Sequence, residues 1–220
     1  MNLTANIVSD SLLWAGWLLY LIGLSMAIYN APWYRLKTSA DSNILFAATV
    51  IVWLFWRTAV GITPGMEFHL LMTTSLTLMF GWAFAVLSVS IVQLGLVIEG
   101  QSELTGLALT VLVNGILPIL VIHYFYRFIY ATLPRNFFVY IFVVAFFGGA
   151  LTMFINRLVG VGLLLMGDTY SFADLGEDNW FILLMVFPEA FLNGFIMTIL
   201  VVYRPEWVSS FNDKEYLVNK

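Results

Sequence analysis

Seven stretches of the chain are apolar over most of their length, and charged residues or Pro and Gly breaks separate them. They run from Ser11 to Tyr29, Asn43 to Trp56, Phe68 to Phe80, Trp82 to Ile98, Leu104 to Phe125, Phe137 to Met166 and Trp180 to Tyr203. About 20 apolar residues carry a helix across a hydrocarbon core of roughly 30 Å, so the pattern predicts membrane-spanning helices. The second and third stretches are short for full crossings, which predicts that one of them is tilted, buried or partly re-entrant. Phe68 to Ile98 also reads as one long helix. At about 30 residues it exceeds a single crossing, which places a break at Phe80-Gly81-Trp82.

The charges between the stretches give a separate check on the count. With seven spans and an outside N-terminus, Arg35, Lys37, Arg127, Arg135, Arg204, Lys214 and Lys220 all fall on the cytoplasmic side. The opposite side collects Asp10, Glu67, Glu99, Glu103, Asp168, Asp174, Glu177 and Asp178, with Arg57 as the only base in its loops. A six-span count divides the basic loops between both faces. The expected fold class is therefore an all-α integral membrane protein, one transmembrane domain over residues 1–220, multi-pass in a bacterial inner membrane, with its C-terminus cytoplasmic. Met1 to Asp10 holds no Lys or Arg and no small-residue cleavage site follows the first apolar run, so that run is expected to be a retained helix. The stretches between spans are too short for an independently folded ATPase, so any ATP-driven work needs a partner.

Composition narrows the class further. Of 220 residues, 61% are hydrophobic, 17% aromatic and 10% charged, which excludes an ordinary water-soluble enzyme and a disordered chain. Thirteen acids against nine bases leave a net charge of −4 and no basic patch for a nucleic-acid backbone. With no cysteine, disulfides, zinc–thiolate sites and iron–sulfur clusters are excluded.

Ionisable and amide groups inside an apolar span are expensive, so each needs a reason. Glu189 sits well inside the last span in Phe187-Pro188-Glu189-Ala190-Phe191-Leu192-Asn193-Gly194, with Asn193 four residues on along the same face and Pro188 expected to kink the helix. The pair is either a polar site in the bundle interior or an interhelical hydrogen bond that fixes packing, with Arg157 of the sixth span as a partner. Arg157 itself requires a carboxylate or several carbonyls. His69 opens the third span beside Glu67, and Met66, His69 and Met72 recur every three residues, one face if the segment is helical. Imidazole suits many transition metals and thioethers suit soft ones, which makes His69, Glu67, Met66 and Met72 the candidate metal ligands. The bland alternatives are a capping histidine and packing methionines. His123, among aromatic and basic neighbours, reads as an interfacial anchor. Asn114-Gly115 and Pro118 break the fifth span and admit a ligand or a close helix. No nucleophile–base pair and no phosphate-binding glycine loop is present, so the chain is not read as an enzyme.

Phe68-His69-Leu70-Leu71, Leu78-Met79-Phe80-Gly81-Trp82 and Leu112-Val113-Asn114-Gly115-Ile116-Leu117-Pro118 resemble the CbiM/NikM-type membrane components of energy-coupling-factor transporters. Phe187 to Gly194 and Tyr203-Arg204-Pro205-Glu206-Trp207 resemble a proteobacterial branch described as an energy-coupling-factor ABC transporter permease. The resemblance implies a seven-helix bundle, cobalt or nickel held near the outer face, and a separate transmembrane coupling subunit with ATPase subunits. Its ligands are the free N-terminus, a histidine at position two and a histidine matching His69; position two here is Asn2. The expected function is a substrate-binding component for transition-metal uptake, with the ion as cargo and no intrinsic cofactor. The alternatives are an accessory or assembly protein that kept the fold, and a proton-coupled small-solute transporter using Glu189.

Overall fold

Away from water a backbone must satisfy its own N–H and C=O groups, and a helix does so within one segment. Each apolar stretch accordingly contains a helix in the computed structural model of the protein, which describes residues 3, 7–37, 39–61, 65, 67–166, 170 and 178–216. These helices are α1 (Asp10–Asn30), α2 (Ser39–Arg57), α3 (Thr73–Phe80), α4 (Trp82–Ile98), α5 (Leu107–Thr132), α6 (Val139–Met166) and α7 (Asp178–Tyr203). By length and composition α1, α5, α6 and the Leu184–Tyr203 part of α7 can each cross a membrane, and α4 is a shorter apolar helix. Large apolar side chains such as Trp14, Leu18, Phe142, Phe187 and Phe191 cover the outside, while Thr74, Gln93, Asn156, Arg157, Glu189 and Asn193 are buried. Polar inside and greasy outside is the arrangement of an all-α membrane protein, for which lipid is the solvent.

The third stretch departs from expectation. It is helical only from Thr73, and α3 has eight residues, about 12 Å of rise. Before it, Val60 and Phe68 exchange two backbone hydrogen bonds, of 3.0 and 2.7 Å, and Met72 adopts a left-handed conformation at φ 58°. A helical spacing of Met66, His69 and Met72 therefore does not exist, because residues 67–72 are not helical; Met66 lies outside the described residues. The break after α3 falls where expected: Gly81 has φ 86°, a value an L side chain adopts only under strain. The second stretch is longer than its apolar core suggests, because α2 starts at Ser39 and ends at Arg57.

α3 lies at the centre, against α4, α5, α6 and α7, and Thr73 to Leu78 are all buried. Around it α2 packs on α4, α4 on α1 and α5, α1 on α5, α5 on α6, and α6 on α7. α5 stays continuous through Asn114 and Pro118 by means of a π-turn at Leu112–Ile116, in which Leu117 N–H reaches the Leu112 carbonyl. In that register the next donor would be Pro118, which has none, and the Asn156 amide donates to the stranded Val113 carbonyl at 2.8 Å instead. α7 likewise runs unbroken through Pro188.

The loops sort into two ends as the charge pattern requires. Arg35 and Glu206 line one cavity and Arg135 pairs with Glu215 at 3.3 Å, so the loops after α1, α5 and α7 share an end. Arg57 pairs with Glu99 at 3.5 Å, and Glu67 and Gln101 line one cavity at the other. Asp168, Asp174, Glu177 and Lys220 lie outside the described residues.

Candidate functional site

The non-helical run 67–72 carries His69 and is fastened at nearly every residue. Phe68 is bridged to Val60. The Trp56 indole N–H of α2 donates to the Leu71 carbonyl at 3.1 Å. Arg157 of α6 donates from Nη1 to the Glu67 carbonyl at 2.8 Å, with its guanidinium 4.7 Å from the Phe68 ring centre. Its Nε and Nη2 have no hydrogen-bond partner among the described residues.

The strongest hold comes from α7. The Glu189 carboxylate accepts from the backbone N–H groups of Leu71 at 2.7 Å and Met72 at 2.9 Å, and from Asn193 Nδ2 at 2.8 Å. Asn193 Oδ1 accepts from Ser75 N at 2.9 Å and Ser75 Oγ at 2.7 Å. A helix begins with unpaired N–H groups and partial positive charge, so a carboxylate from a neighbouring helix meets both needs of α3. Its other end is met similarly: Ser209 N donates to the Met79 carbonyl at 3.0 Å, and Ser210 N and Oγ to the Leu78 carbonyl at 3.2 and 2.8 Å. Close approach of α7 to α6 is allowed by Gly149, where a Cβ would stand 3.3 Å from Ala190 and from Asn193. The expected partnership of Glu189 with Arg157 is thus replaced. No ion pair joins them among the described residues, because the carboxylate is already occupied by N–H donors.

His69 is buried, its ring 4.9 Å from that of Trp56 and its Nδ1 3.3 Å from the Leu70 carbonyl. A carbonyl can only accept, so this contact places the proton on Nδ1 and the lone pair on Nε2. The residue lines a cavity of about 30 Å³, room for one water-sized group, between α2, α4, α5 and two loops. Glu67, Gln93, Gln101, Ser102, Thr110 and Asn114 also line it, against apolar walls from Trp56, Ala59 and Leu96. Gln93 Nε2 donates to Ser102 Oγ at 2.7 Å, and Asn156 Nδ2 to Asn114 Oδ1 at 3.2 Å. Thr110 also anchors the N-terminal segment: fully buried Leu3 donates its backbone N–H to Thr110 Oγ1 at 3.2 Å.

Of the residues singled out in the sequence, His69, Glu67 and Asn114 share this cavity. Met72 does not; its side chain belongs to the apolar cluster around Leu76 and Val86 and to a lateral groove. Glu189, Asn193 and Arg157 hold the loop rather than line the cavity. His123 sits elsewhere on α5, its ring 6.5 Å from Trp82. The residues missed were Gln93, Gln101, Ser102 and Thr110. Gln93 carried a readable signal, an amide midway along a 17-residue apolar helix. Among the described residues no group of three His, Asp or Glu side chains converges on a metal position. What the cavity offers is one imidazole, one carboxylate and several amide and hydroxyl oxygens, a donor set for a small divalent cation.

No curated protein and no solved structure matches the chain. A family does: the cobalt uptake substrate-specific transmembrane region, CbiM, matches residues 2–207, from ahead of α1 to the turn after α7. With nearly its whole length inside the match, including the His69 loop and the helix that clamps it, the chain belongs to the CbiM family of transporter membrane components.

Proposed function

We propose that the chain is the substrate-binding membrane subunit of a cobalt- or nickel-class uptake system. A single transmembrane domain of seven crossings, its basic end cytoplasmic, presents the His69 cavity to the outside, and a separate coupling subunit with ATPases drives release. His69 Nε2 is the first ligand and Glu67 the carboxylate beside it, with the amide and hydroxyl oxygens of the cavity as further donors. Glu189 and Asn193 position the His69 loop. The acids at this end raise the local cation concentration by their field.

One observation carries the reading: a buried imidazole oriented by a carbonyl through Nδ1, on a loop fastened by three other helices. A histidine whose second nitrogen is fixed by a carbonyl is oriented for metal ligation, and a pinned loop keeps the ligand from rearranging. The proton-coupled alternative needs a Glu189 that exchanges protons freely, whereas its carboxylate accepts from three N–H donors.

Purified protein in detergent, titrated with Co, Ni, Cu, Zn and Mn ions, tests the proposal. Stoichiometric binding of Co or Ni that His69→Ala abolishes, with helicity unchanged, is the expected result. Equal binding by wild type and His69→Ala, or none by either, overturns it.

A further inference from the structure

α3 is held at its two ends by different parts of the chain. At one end the His69 loop runs directly into the helix, where Glu189 binds the Leu71 and Met72 N–H groups and Asn193 binds Ser75. At the other, about 12 Å away along the helix, the segment that leaves α7 crosses the last turn. This strap begins with a 3₁₀ turn at Pro205–Trp207 and ends in a helical turn at Asp213–Tyr216. Ser210 is its knot. Its N and Oγ donate to the Leu78 carbonyl of α3 at 3.2 and 2.8 Å. Its carbonyl accepts from the Tyr126 hydroxyl of α5 at 2.7 Å, and its Oγ from the Tyr140 hydroxyl of α6 at 2.6 Å. Val208 and Phe211 share an apolar cluster with Leu78.

We infer that this strap is a latch through which the basic end of the protein controls the His69 loop at the other. Docked on Leu78 and Met79, it completes the hydrogen bonds of α3 and holds the helix in register with Glu189 and Asn193. Lifted, it frees α3 to shift. Leu71 and Met72 then move with the helix, because they lead directly into its first turn, and the loop that carries His69 loses its fixed shape.

The geometry suits transmission. A two-turn helix moves as a rigid unit, so a displacement at its last turn reaches its first. Beyond α3 the chain turns at Gly81, φ 86°, where a Cβ would have no neighbour within 4 Å among the described residues, so the joint has room to swing. Glu206, Ser209 and Asn212 are exposed, and a partner at this end reaches the strap without entering the bundle. Coupling of this kind is reciprocal: whatever favours the lifted strap weakens ion binding, and a bound ion favours the docked strap by the same free energy. The ion arm of this inference rests on the metal reading of His69; the link between strap and loop does not.

The test uses the intact protein in detergent and reads amide hydrogen exchange by mass spectrometry. Without metal, Ser210→Ala and, separately, Tyr126→Phe are expected to speed exchange at Leu71 and Met72 about tenfold, the worth of one buried hydrogen bond, with the amides of α1 unchanged. Thr49→Ala removes a buried hydrogen bond to Ser88, 2.9 Å long, between α2 and α4, and is expected to leave Leu71 and Met72 as in wild type. With cobalt bound, exchange at residues 208–211 should slow, and His69→Ala should abolish that slowing. Unchanged exchange at Leu71 and Met72 in both strap variants overturns the inference, as does an equal rise in Thr49→Ala. Cobalt binding that leaves exchange in the strap unchanged overturns it too. A protein that binds no cobalt removes the metal reading alone, and the metal-free comparison then decides the latch.

Discussion

α1 and α3 are both apolar by sequence and opposite in situation. α1 is 21 residues long and buries only Leu13, Gly16, Tyr20 and Ala27, leaving Trp14, Leu18, Leu21 and Ile22 to the membrane. α3 is eight residues long, and Thr73 through Leu78 are buried on every side. A long helix in lipid holds itself together by its own hydrogen bonds and needs little from its neighbours. An eight-residue helix has more unpaired terminal groups than internal bonds, so its neighbours must supply the rest. α7 and the segment that follows it do so, with Glu189 and Asn193 of α7 at one end and Ser209 and Ser210, beyond α7, at the other. Stability in this protein is therefore concentrated where polarity is, around the loop that carries His69.

If that contrast is right, substitutions should rank by their distance from the clamp rather than by hydrophobicity. Glu189→Ala should have the largest effect, because it strands the Leu71 and Met72 N–H groups in a dry interior. A loss of about 3 kcal/mol or more, read by unfolding in detergent, is expected together with loss of metal binding. Gly149→Val, which pushes α6 away from Ala190 and Asn193, should cost about 2 kcal/mol by the same measurement. Trp56→Phe removes one hydrogen bond to Leu71 and keeps the ring against His69; about 1 kcal/mol and a weaker metal affinity are expected. Leu18→Ala, on the lipid face of α1, should stay within about 0.5 kcal/mol of wild type. A Leu18→Ala loss as large as that of Glu189→Ala would break the comparison, since α1 would then be a load-carrying part of the core.

The succession of apolar helices was legible because it rests on length and hydropathy, two properties local to each segment. α4 matches its predicted bounds, and the loops grouped by charge do share ends. The polar residues inside the spans were legible too, since burial of Glu189, Asn193 and Arg157 follows from the cost of leaving them in lipid. Their partners were not. Glu189 reaches backbone amides 117 and 118 positions away, and a backbone N–H has no residue-type signature to search for. The non-helical backbone before α3 was not legible either: Met72 has a left-handed φ of 58°, and its side chain lies in the apolar core rather than in the His69 cavity.

The sequence by itself determined the class of molecule, the number of apolar segments, the sorting of charge to two ends and the presence of His69 near one of them, because each follows from transfer energies of individual residues. The tertiary structure decided which half of the third segment is helix, which groups satisfy its ends, and which side chains meet His69 in one cavity. Those outcomes depend on hydrogen bonds between segments far apart in the chain, and such bonds have no address until the helices have packed.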